Sequence, residues 1–233
     1  MMITSPIIDP DVCRLAPGFR AVSVSCDATG LERRSDDADV LAEACRFAAN
    51  GGPAWAEDHF SSWAEVYSRF GAKPPRTPNS AHALRKRVLK DATVPRIDPL
   101  VDLYNAASLR FALPIGGEDM ATYKGSPRLT IANGSERFET MANGEPVVES
   151  PEAGEVVWRD DDGVTCRRWN WRQGTRTRLH DSSRSMWFVL ESLETMPLEA
   201  LEDAGQFLEK GLHRILPGCT THRETIVAAR PQI

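Results

Sequence analysis

Arginines and tryptophans are concentrated in one short stretch of a chain whose net charge is −5. Residues 167–173 read RRWNWRQ, so two tryptophans flank Asn170 among several arginines. Arginines that hold phosphates and aromatic rings that stack on bases are typical of a single-stranded RNA contact. We predict a strand here, whose alternate side chains would form two faces. The predicted faces are Arg168, Asn170 and Arg172 on one side, and Arg167, Trp169, Trp171 and Gln173 on the other.

This stretch has two interpretations. In the first, Asn170 or Gln173 faces a pocket, the arginines hold RNA phosphates, and a tryptophan stacks on a terminal adenine. In the second, the tryptophans lie in the core and the arginines are solvated or paired with the aspartates at 160–162. For the tryptophans themselves we favour the core.

Glu191 is a second candidate, because it lies within the apolar run WFVLESL of residues 187–193. Burying an unpaired carboxylate is costly, so this side chain must be paired or must have a shifted pKa. Its functional interpretation is recognition of a substrate α-ammonium group, or positioning of an attacking water. Its structural interpretation is a hydrogen bond to an arginine such as Arg168.

Residues 116–119, Gly-Gly-Glu-Asp, are a third candidate, because successive backbone N–H groups can form a nest that binds an oxyanion. A helix end followed by a tight turn explains the same glycines. Asn105 lies one helical turn after Asp102 and could share a site with it, although we favour a structural hydrogen bond for Asn105. The lone His180 is expected at the surface, and Cys166 is expected in the core rather than as a nucleophile.

Several classes of protein are excluded. The sequence contains no GxSxG, HExxH or P-loop motif. Its five cysteines are scattered without a CxxC pair, which predicts no metal, cofactor or disulfide framework and a reducing, cytoplasmic setting. We expect no signal peptide and no membrane partner, because the chain has no basic-then-apolar leader and no run of 18 apolar residues. With a negative net charge, any RNA contact requires a local basic patch.

The periodicity of apolar residues predicts the elements that must position these side chains. The predicted helices are 37–49, 59–72, 81–91 (begun by Asn79 or Ser80), 100–111 and 198–216. The predicted strands are 19–26, 128–132, 137–141, 155–160, 164–171 and 185–194, followed by a tail at 217–233. In the helix at 81–91, Leu84, Val88 and Leu89 are expected to face inward. Its outward side chains form either an RNA-facing surface or an ordinary solvated face: Arg85, Lys86, Arg87 and Lys90.

Residues 101–119, VDLYNAASLRFALPIGGED, resemble the B3/B4 region of the bacterial phenylalanyl-tRNA synthetase β-subunit. That region reads D-V-T-N, then about nine residues of helix, then G-Q-P-x-H-x-x-D. The matching positions are Asp102, Asn105, Pro114 and Asp119, with Glu136 and Glu191 on glutamates of two later segments. The similarity covers roughly residues 95–200. The chain as a whole is similar to freestanding bacterial B3/B4-domain proteins, which share the LPIGGED and CRRWNWRQ signatures.

The chain departs from the synthetase at the editing pocket. Tyr104 stands where the family has a threonine, and Gly116 stands where it has a histidine. RRWNWRQ replaces a loop of the synthetase that contains Gly-Gly. The site is therefore expected to be rebuilt rather than copied.

The resemblance implies a fold and a function. The implied fold is α+β, with a central, largely antiparallel sheet flanked by helices. Residues 1–94 would contribute a strand and helices integrated in the same fold. Residues 95–233 would form the B3/B4-like core with a C-terminal helix. In the synthetase this region hydrolyses the ester between a wrong amino acid and its tRNA. The implied function is a deacylase that acts in trans on the aminoacylated acceptor end of a tRNA. The alternative is a non-catalytic module that binds tRNA, other RNA or a free amino acid.

Each candidate has an expected role. The expected catalytic groups are Glu191, Asn170, Gly116 and Gly117. The expected contacts to tRNA or to the amino acid moiety are Asn105, Tyr104, Arg167, Arg168, Trp169, Trp171, Arg172 and Gln173.

Overall fold

The computed structural model of the protein describes residues 5–34 and 39–228, which form six helices and eleven strands. The helices are α1 (Pro10–Leu15), α2 (Val40–Ala49), α3 (Ala56–Arg69), α4 (Ser80–Asp91), α5 (Pro99–Phe111) and α6 (Leu198–Ile215). The strands are β1 (Ile7–Ile8), β2 (Arg20–Asp27), β3 (Ile115–Asp119), β4 (Arg128–Ile131), β5 (Phe138–Ala142), β6 (Glu145–Glu149), β7 (Val156–Arg159), β8 (Val164–Arg167), β9 (Arg172–Gln173), β10 (Ser185–Ser192) and β11 (Thr220–Val227).

The strands form two sheets in which most pairs are antiparallel. The first sheet has the order β11-β2-β10-β3 and is antiparallel throughout. The second has the order β1-β4-β7-β8-β5-β6, with β9 paired to β8, and its parallel pairs are β1 with β4 and β5 with β8. The prediction of an α+β fold with largely antiparallel pairing and flanking helices is confirmed, with the strands divided between two sheets.

The strand β10 shows how the layers are arranged, because its residues alternate between the two faces of the first sheet. Phe188 and Leu190 belong to a core shared with α5 and α6. Trp187 and Val189 belong to a core shared with the second sheet. Glu191 has the parity of Trp187 and Val189, so its side chain points into the layer between the two sheets.

The helices begin where the sequence places capping residues. The side chain of Asn79 accepts a hydrogen bond from the backbone N–H of His82 at the start of α4. Asp98 caps α5 directly before Pro99, which occupies the first helical position. The predicted helices at 81–91 and 100–111 are confirmed, but Leu89 does not face inward, since it is 59% exposed.

Other predictions about elements need correction. Gly116 and Gly117 do not follow the helix in a turn but lie inside β3. The predicted tail contains β11, which pairs with β2 along eight residues. The strand β6 was not predicted, although the turn that joins it to β5 was; Asn143 and Gly144 there have φ of 53° and 85°, as a two-residue hairpin requires. Residues 37–38 of a predicted helix and 229–233 of the predicted tail lie outside the described residues.

Within residues 5–34 and 39–228, no helix is both long and apolar enough to cross a membrane. In the same ranges, no group of three or more His, Cys, Asp or Glu side chains is arranged to hold a metal ion.

Candidate active site

A cavity of about 340 Å³ lies between the two sheets beside α4 and α5. It brings together nine of the twelve predicted site residues: Tyr104, Asn105, Gly116, Gly117, Trp169, Asn170, Trp171, Gln173 and Glu191. Its other lining residues are Ser80, Ala83, Leu84, Arg87, Ile115, Glu118, Trp158, Cys166, Trp187 and Val189. The volume is at the lower end of the range for small-molecule sites.

Glu191 is held on the cavity wall by three side-chain donors. Its Oε1 accepts hydrogen bonds from Nε1 of Trp158 (3.0 Å) and Nε1 of Trp169 (2.7 Å), and its Oε2 accepts one from Nδ2 of Asn170 (3.0 Å). The structural alternative for Glu191, a hydrogen bond to an arginine such as Arg168, is therefore wrong. Burial raises the pKa of Glu191 to about 7, against the effect of the three donors. The carboxyl has one orientation and is close to half-ionised at neutral pH.

Asn170 is fixed from both sides. Its Oδ1 accepts a hydrogen bond from the hydroxyl of Tyr67 on α3 (2.7 Å), while its Nδ2 donates to Glu191. Burial raises the pKa of Tyr67, so the hydroxyl stays protonated and remains a donor. The carboxamide cannot rotate without losing both bonds.

The prediction of a strand over residues 164–171 is wrong beyond Arg167. Residues 168–171 form the turn between β8 and β9. Arg168 and Trp169 have φ of 46° and 64°, a left-handed conformation that is unfavourable for residues with a Cβ. The Oε1 of Glu155 accepts a hydrogen bond from the backbone N–H of Arg168 (2.8 Å) and helps to hold this turn.

This turn explains why adjacent residues serve one carboxylate. In a strand, Trp169 and Asn170 would point to opposite faces. Because the chain turns at this point, both side chains donate to Glu191. The ring of Trp169 is fully buried, in agreement with the preference for a core tryptophan.

The three predicted arginines do not line the cavity but are paired with acidic residues between 149 and 155. Arg167 is 7% exposed, and its guanidinium forms two hydrogen bonds with Glu155 (2.9 and 3.1 Å) and one with Glu149. The remaining pairs are Arg168 with Glu152 and Glu155, and Arg172 with Glu149. The aspartates at 160–162 are not their partners. Arg168 also stacks on the ring of Trp171, with its guanidinium carbon 4.8 Å from the ring centre.

Glu118 is a cavity residue that the sequence analysis did not identify as a titrating group. It lies opposite Trp187 across β3 and β10, so its side chain faces the same layer as Glu191. It is 3% exposed, and its Oε2 is buried without a hydrogen-bond partner among the described residues. Burial raises its pKa to about 8. Glu191 lies four positions after Trp187 in β10, about 13 Å along the strand, so the carboxyls of Glu118 and Glu191 lie well apart along the cavity.

Gly117 of β3 is required by close packing rather than by a turn. A Cβ at Gly117 would lie 3.0 Å from the ring of Tyr104 and equally close to two further side chains. Nε2 of Gln173 donates to the carbonyl of Gly117 (2.8 Å) and so ties β9 to β3. The N–H of Asp119 donates to Thr177 on the outer side of β3, so the N–H of Gly117 points to that side too. The predicted nest is therefore wrong, but one backbone donor faces outward at this edge.

Two polar groups at the cavity lack partners. The carboxamide of Asn105 forms no hydrogen bond to any other described residue, so the expected structural bond is absent. Ser80 begins α4, and its buried hydroxyl has no partner among the described residues either. Asp102 does not share this site, since its carboxylate accepts a hydrogen bond from the N–H of Ile97.

The positive charge at the cavity comes from α4. Arg87 lines the cavity, and Lys86 and Lys90 are exposed on the same helix. These three have no ion-pair partner in the described ranges, whereas Arg85 pairs with Glu57 (2.6 Å).

The remaining candidates do not supply a nucleophile or a base. His180 lies outside the cavity, where its ring contacts Asp119 (3.0 Å) and Ser182 (2.8 Å). Cys166 lines the cavity, but burial raises the pKa of its thiol, which keeps it protonated and unreactive. The arrangement therefore offers a rigid carboxyl that can take a proton from water, unpartnered hydrogen-bonding groups and indole walls.

One comparison with known protein families matches the region that contains this cavity. The model of a family described as "B3/4 domain" matches residues 62–214, a range that contains every residue lining the cavity. Among solved structures, the chain is similar to the crystal structure of an N-terminal fragment of the phenylalanyl-tRNA synthetase β-subunit from Pyrococcus horikoshii, with a TM-score of 0.45 and 11% identity. The match covers 94% of this chain and 50% of the other, so this chain spans about half the length of that fragment. No curated protein matches the chain.

Proposed function

The chain belongs to the B3/4 domain family, and on that premise we propose that it is an aminoacyl-tRNA deacylase, which hydrolyses in trans the ester of a mischarged tRNA. One observation carries this proposal: four segments of the chain line one cavity around the rigid Glu191–Asn170 pair. These segments are residues 80–87, 104–118, 158–173 and 187–191. Ester hydrolysis requires a pocket, a positioned water and donors to the oxyanion, and an activated ester requires no triad.

In the proposed reaction, Glu191 is the general base. Water attacks the ester carbonyl while the Glu191 carboxylate takes its proton. The bond from the carbonyl carbon to the ribose oxygen then breaks, and Glu191 returns the proton to that oxygen, which releases the amino acid and the ribose hydroxyl of the tRNA. A pKa of about 7 suits this role, because the carboxyl is partly ionised at neutral pH and basic enough to accept a proton. Asn170 and Trp169 keep the base in place. The oxyanion donors that we propose lie on the other walls: the Asn105 carboxamide and the outward N–H of Gly117.

The cavity is large enough for only one part of the proposed substrate. About 340 Å³ admits an amino acid but not the terminal nucleotides of a tRNA. The acceptor end would therefore stay outside, along α4, where Arg87, Lys86 and Lys90 can bind phosphates. Trp171, half-buried beneath Arg168, is the proposed stacking surface for the terminal adenine.

Deacylation of a panel of labelled aminoacyl-tRNAs, cognate and mischarged, tests this proposal. We expect ester loss above the spontaneous rate for at least one pair. Glu191→Gln keeps the shape of the side chain and should lower the rate constant by about 10²- to 10⁴-fold, the usual contribution of a general base. Rates at or below the spontaneous rate for every pair would refute catalysis.

The RNA contact is tested separately with charge variants. Arg87→Ala should raise KM about three- to tenfold and reduce its dependence on salt, because one phosphate contact is lost. Lys210→Ala is the matched control, since it removes one exposed charge from α6, which does not line the cavity. Equal effects of the two variants would argue against an RNA path along α4.

A non-catalytic function is the second candidate, and one observation favours it. The carboxylates of Glu149, Glu152 and Glu155 neutralise the arginine-rich stretch, which weakens the case for an extended RNA contact. In that case the cavity would bind a free amino acid or an RNA end without hydrolysing it. Ligand-induced thermal shifts in the absence of any deacylation would support this function.

A further inference from the structure

The carboxyl of Glu118 lies in the cavity and takes no part in the proposed hydrolysis. It is 3% exposed, and its Oε2 has no hydrogen-bond partner within the described ranges. The side chains of Thr177 and Gln173 lie beside this carboxyl and help to stabilise its ionised form, but neither carries a positive charge. Burying a carboxyl without a cation is costly, so the presence of Glu118 in the cavity wall indicates a ligand group that completes it.

The neighbouring cations of the protein are engaged elsewhere. The guanidinium of Arg176 donates two hydrogen bonds to Asp160 (2.7 and 3.0 Å). Arg178, which faces Glu118 across a backbone bridge, donates to the carbonyls of Gly174 and Gln173. None of the described arginines or lysines forms an ion pair with Glu118.

We propose that the Glu118 carboxylate binds a primary ammonium group of the ligand, an assignment that rests on the proposed function for the ligand being an aminoacyl group. An ammonium group has three N–H donors and no acceptor, which matches an unpaired carboxylate oxygen. Oε2 of Glu118 is such an oxygen, and the ring of Trp187, directly opposite Glu118, adds a surface that favours a cation. A ligand carboxylate or phosphate would be repelled at this point.

Charge on Glu118 makes this binding dependent on pH. Burial raises the pKa of Glu118 to about 8, so the free site is mostly protonated at neutral pH. An ammonium group binds the ionised form of Glu118. Its binding therefore releases the proton of Glu118, and the affinity for the ammonium ligand increases as the pH rises from 6 to 7. A neutral carboxylic acid that donated its proton to a ligand carbonyl would show the opposite dependence.

The surrounding groups do not titrate in that range. Those that interact electrostatically with Glu118 are Tyr104, Tyr123, Asp160, Cys166 and Arg176. Burial raises the pKa of both tyrosines and of the thiol, and hydrogen bonds from Arg176 help to lower the pKa of Asp160. Glu191, farther along the cavity, has a pKa of about 7 and therefore does titrate in this range. Repeating the binding measurements at pH 6 and pH 7 with Glu191→Gln controls for its contribution.

Four amides of lysine are the probes, since an amide does not turn over as an ester would. Lysinamide carries both ammonium groups, its Nε-acetyl form only the α-ammonium, its Nα-acetyl form only the side-chain ammonium, and its diacetyl form neither. Calorimetry and tryptophan fluorescence measure binding at pH 6 and pH 7, where the α-ammonium is still largely charged. The two singly acetylated probes distinguish the α-ammonium from a side-chain ammonium as the bound group.

The expected result is that at least one singly acetylated probe binds about tenfold more tightly than the diacetyl form, and that Glu118→Gln abolishes this preference. Binding should release a proton, measured by calorimetry in buffers of different ionisation enthalpy. Glu145→Gln, an exposed acid of β6, is the matched control and should behave as the wild type.

Equal binding of all four probes, or no binding of any, would overturn the assignment, and so would an undiminished preference in Glu118→Gln. The wild-type comparison decides the question even where the variant fails to fold. Deacylation without ammonium preference would refute this inference alone. Ammonium-dependent binding without deacylation of any tRNA would refute the proposed function alone.

Discussion

Replacing Gly117 by alanine tests the packing that shapes the cavity. An ideal Cβ at this position would lie 3.0 Å from Cε1 of Tyr104, Cδ1 of Leu179 and Cε1 of Phe188. Few real Cβ atoms have a contact this short, and here three would occur at once. Either β3 or the ring of Tyr104 must move, and Tyr104 lines the cavity.

Gly116 is a matched control in the same strand. A Cβ there would meet a single neighbour, Cγ1 of Val189, at the ordinary distance of 3.4 Å. Neither glycine has a positive φ, so alanine is compatible with the backbone at both positions. Each substitution also reduces the conformational entropy of the unfolded chain, which stabilises the protein by about 0.4–1 kcal/mol. The difference between the two variants therefore isolates the steric cost at Gly117.

Overpacking of this kind costs about 1–3 kcal/mol. For a protein of this size, each kcal/mol lowers Tm by about 2–4 °C, so Gly117→Ala should melt about 4–8 °C below Gly116→Ala for a cost near the middle of that range. Thermal unfolding followed by circular dichroism, with urea unfolding as a second measure, tests this. A Gly117→Ala variant as stable as Gly116→Ala would refute the conclusion that the glycine is required for close approach.

Three further predictions concern buried groups. Between pH 4.5 and pH 7, the free energy of unfolding of the wild type should fall by roughly 3 kcal/mol relative to that of Glu191→Gln. The reason is that folding raises the pKa of Glu191 to about 7, so the folded state binds this proton more tightly than the unfolded state does. Urea unfolding at several pH values measures the effect, and parallel pH curves for the two proteins would contradict it. His59 should be neutral with its proton on Nδ1, because Nδ1 contacts the carbonyl of Ala112 while Nε2 accepts from Trp63 and Leu193. Burial lowers its pKa to about 4, so stability should fall as the pH falls from 6.5 to 4; nitrogen NMR of the ring would reveal a wrong tautomer or an ordinary pKa. Gly211→Ala on α6 should destabilise the protein by about 3 kcal/mol or more, because its Cβ would lie 2.2 Å from Leu103 on α5, and Leu103→Ala should recover part of the loss in a double-mutant cycle.

The elements predicted correctly are those whose signals are local. The helices α4 and α5 carry their capping residues and apolar spacing within a dozen residues, so their bounds agree closely with the prediction. The missed strands lack such signals. The strand β3 contains two glycines, and β11 is a polar edge strand held mainly by its backbone pairing with β2. Strand pairing between distant segments is not encoded in a short window.

The sequence predicted which residues form the site better than it predicted how they are arranged. Glu191, Asn170 and Trp169 were identified, and they meet at one carboxylate. The turn that brings them together was missed, because its left-handed residues are an arginine and a tryptophan rather than glycines. Residues with a Cβ adopt that conformation when surrounding contacts stabilise it.

The sequence by itself determined the α+β class, the positions of the main helices and the family to which the chain belongs, because apolar periodicity and motif spacing are properties of neighbouring residues. Only the tertiary structure decided which charges are free. It paired Arg167 with Glu155 and left Arg87 without a partner in the described part of the chain, and it buried Glu118 beside the cavity with no cation. Electrostatic and hydrogen-bonding partners are chosen by proximity in space and by burial, which depend on how distant segments pack.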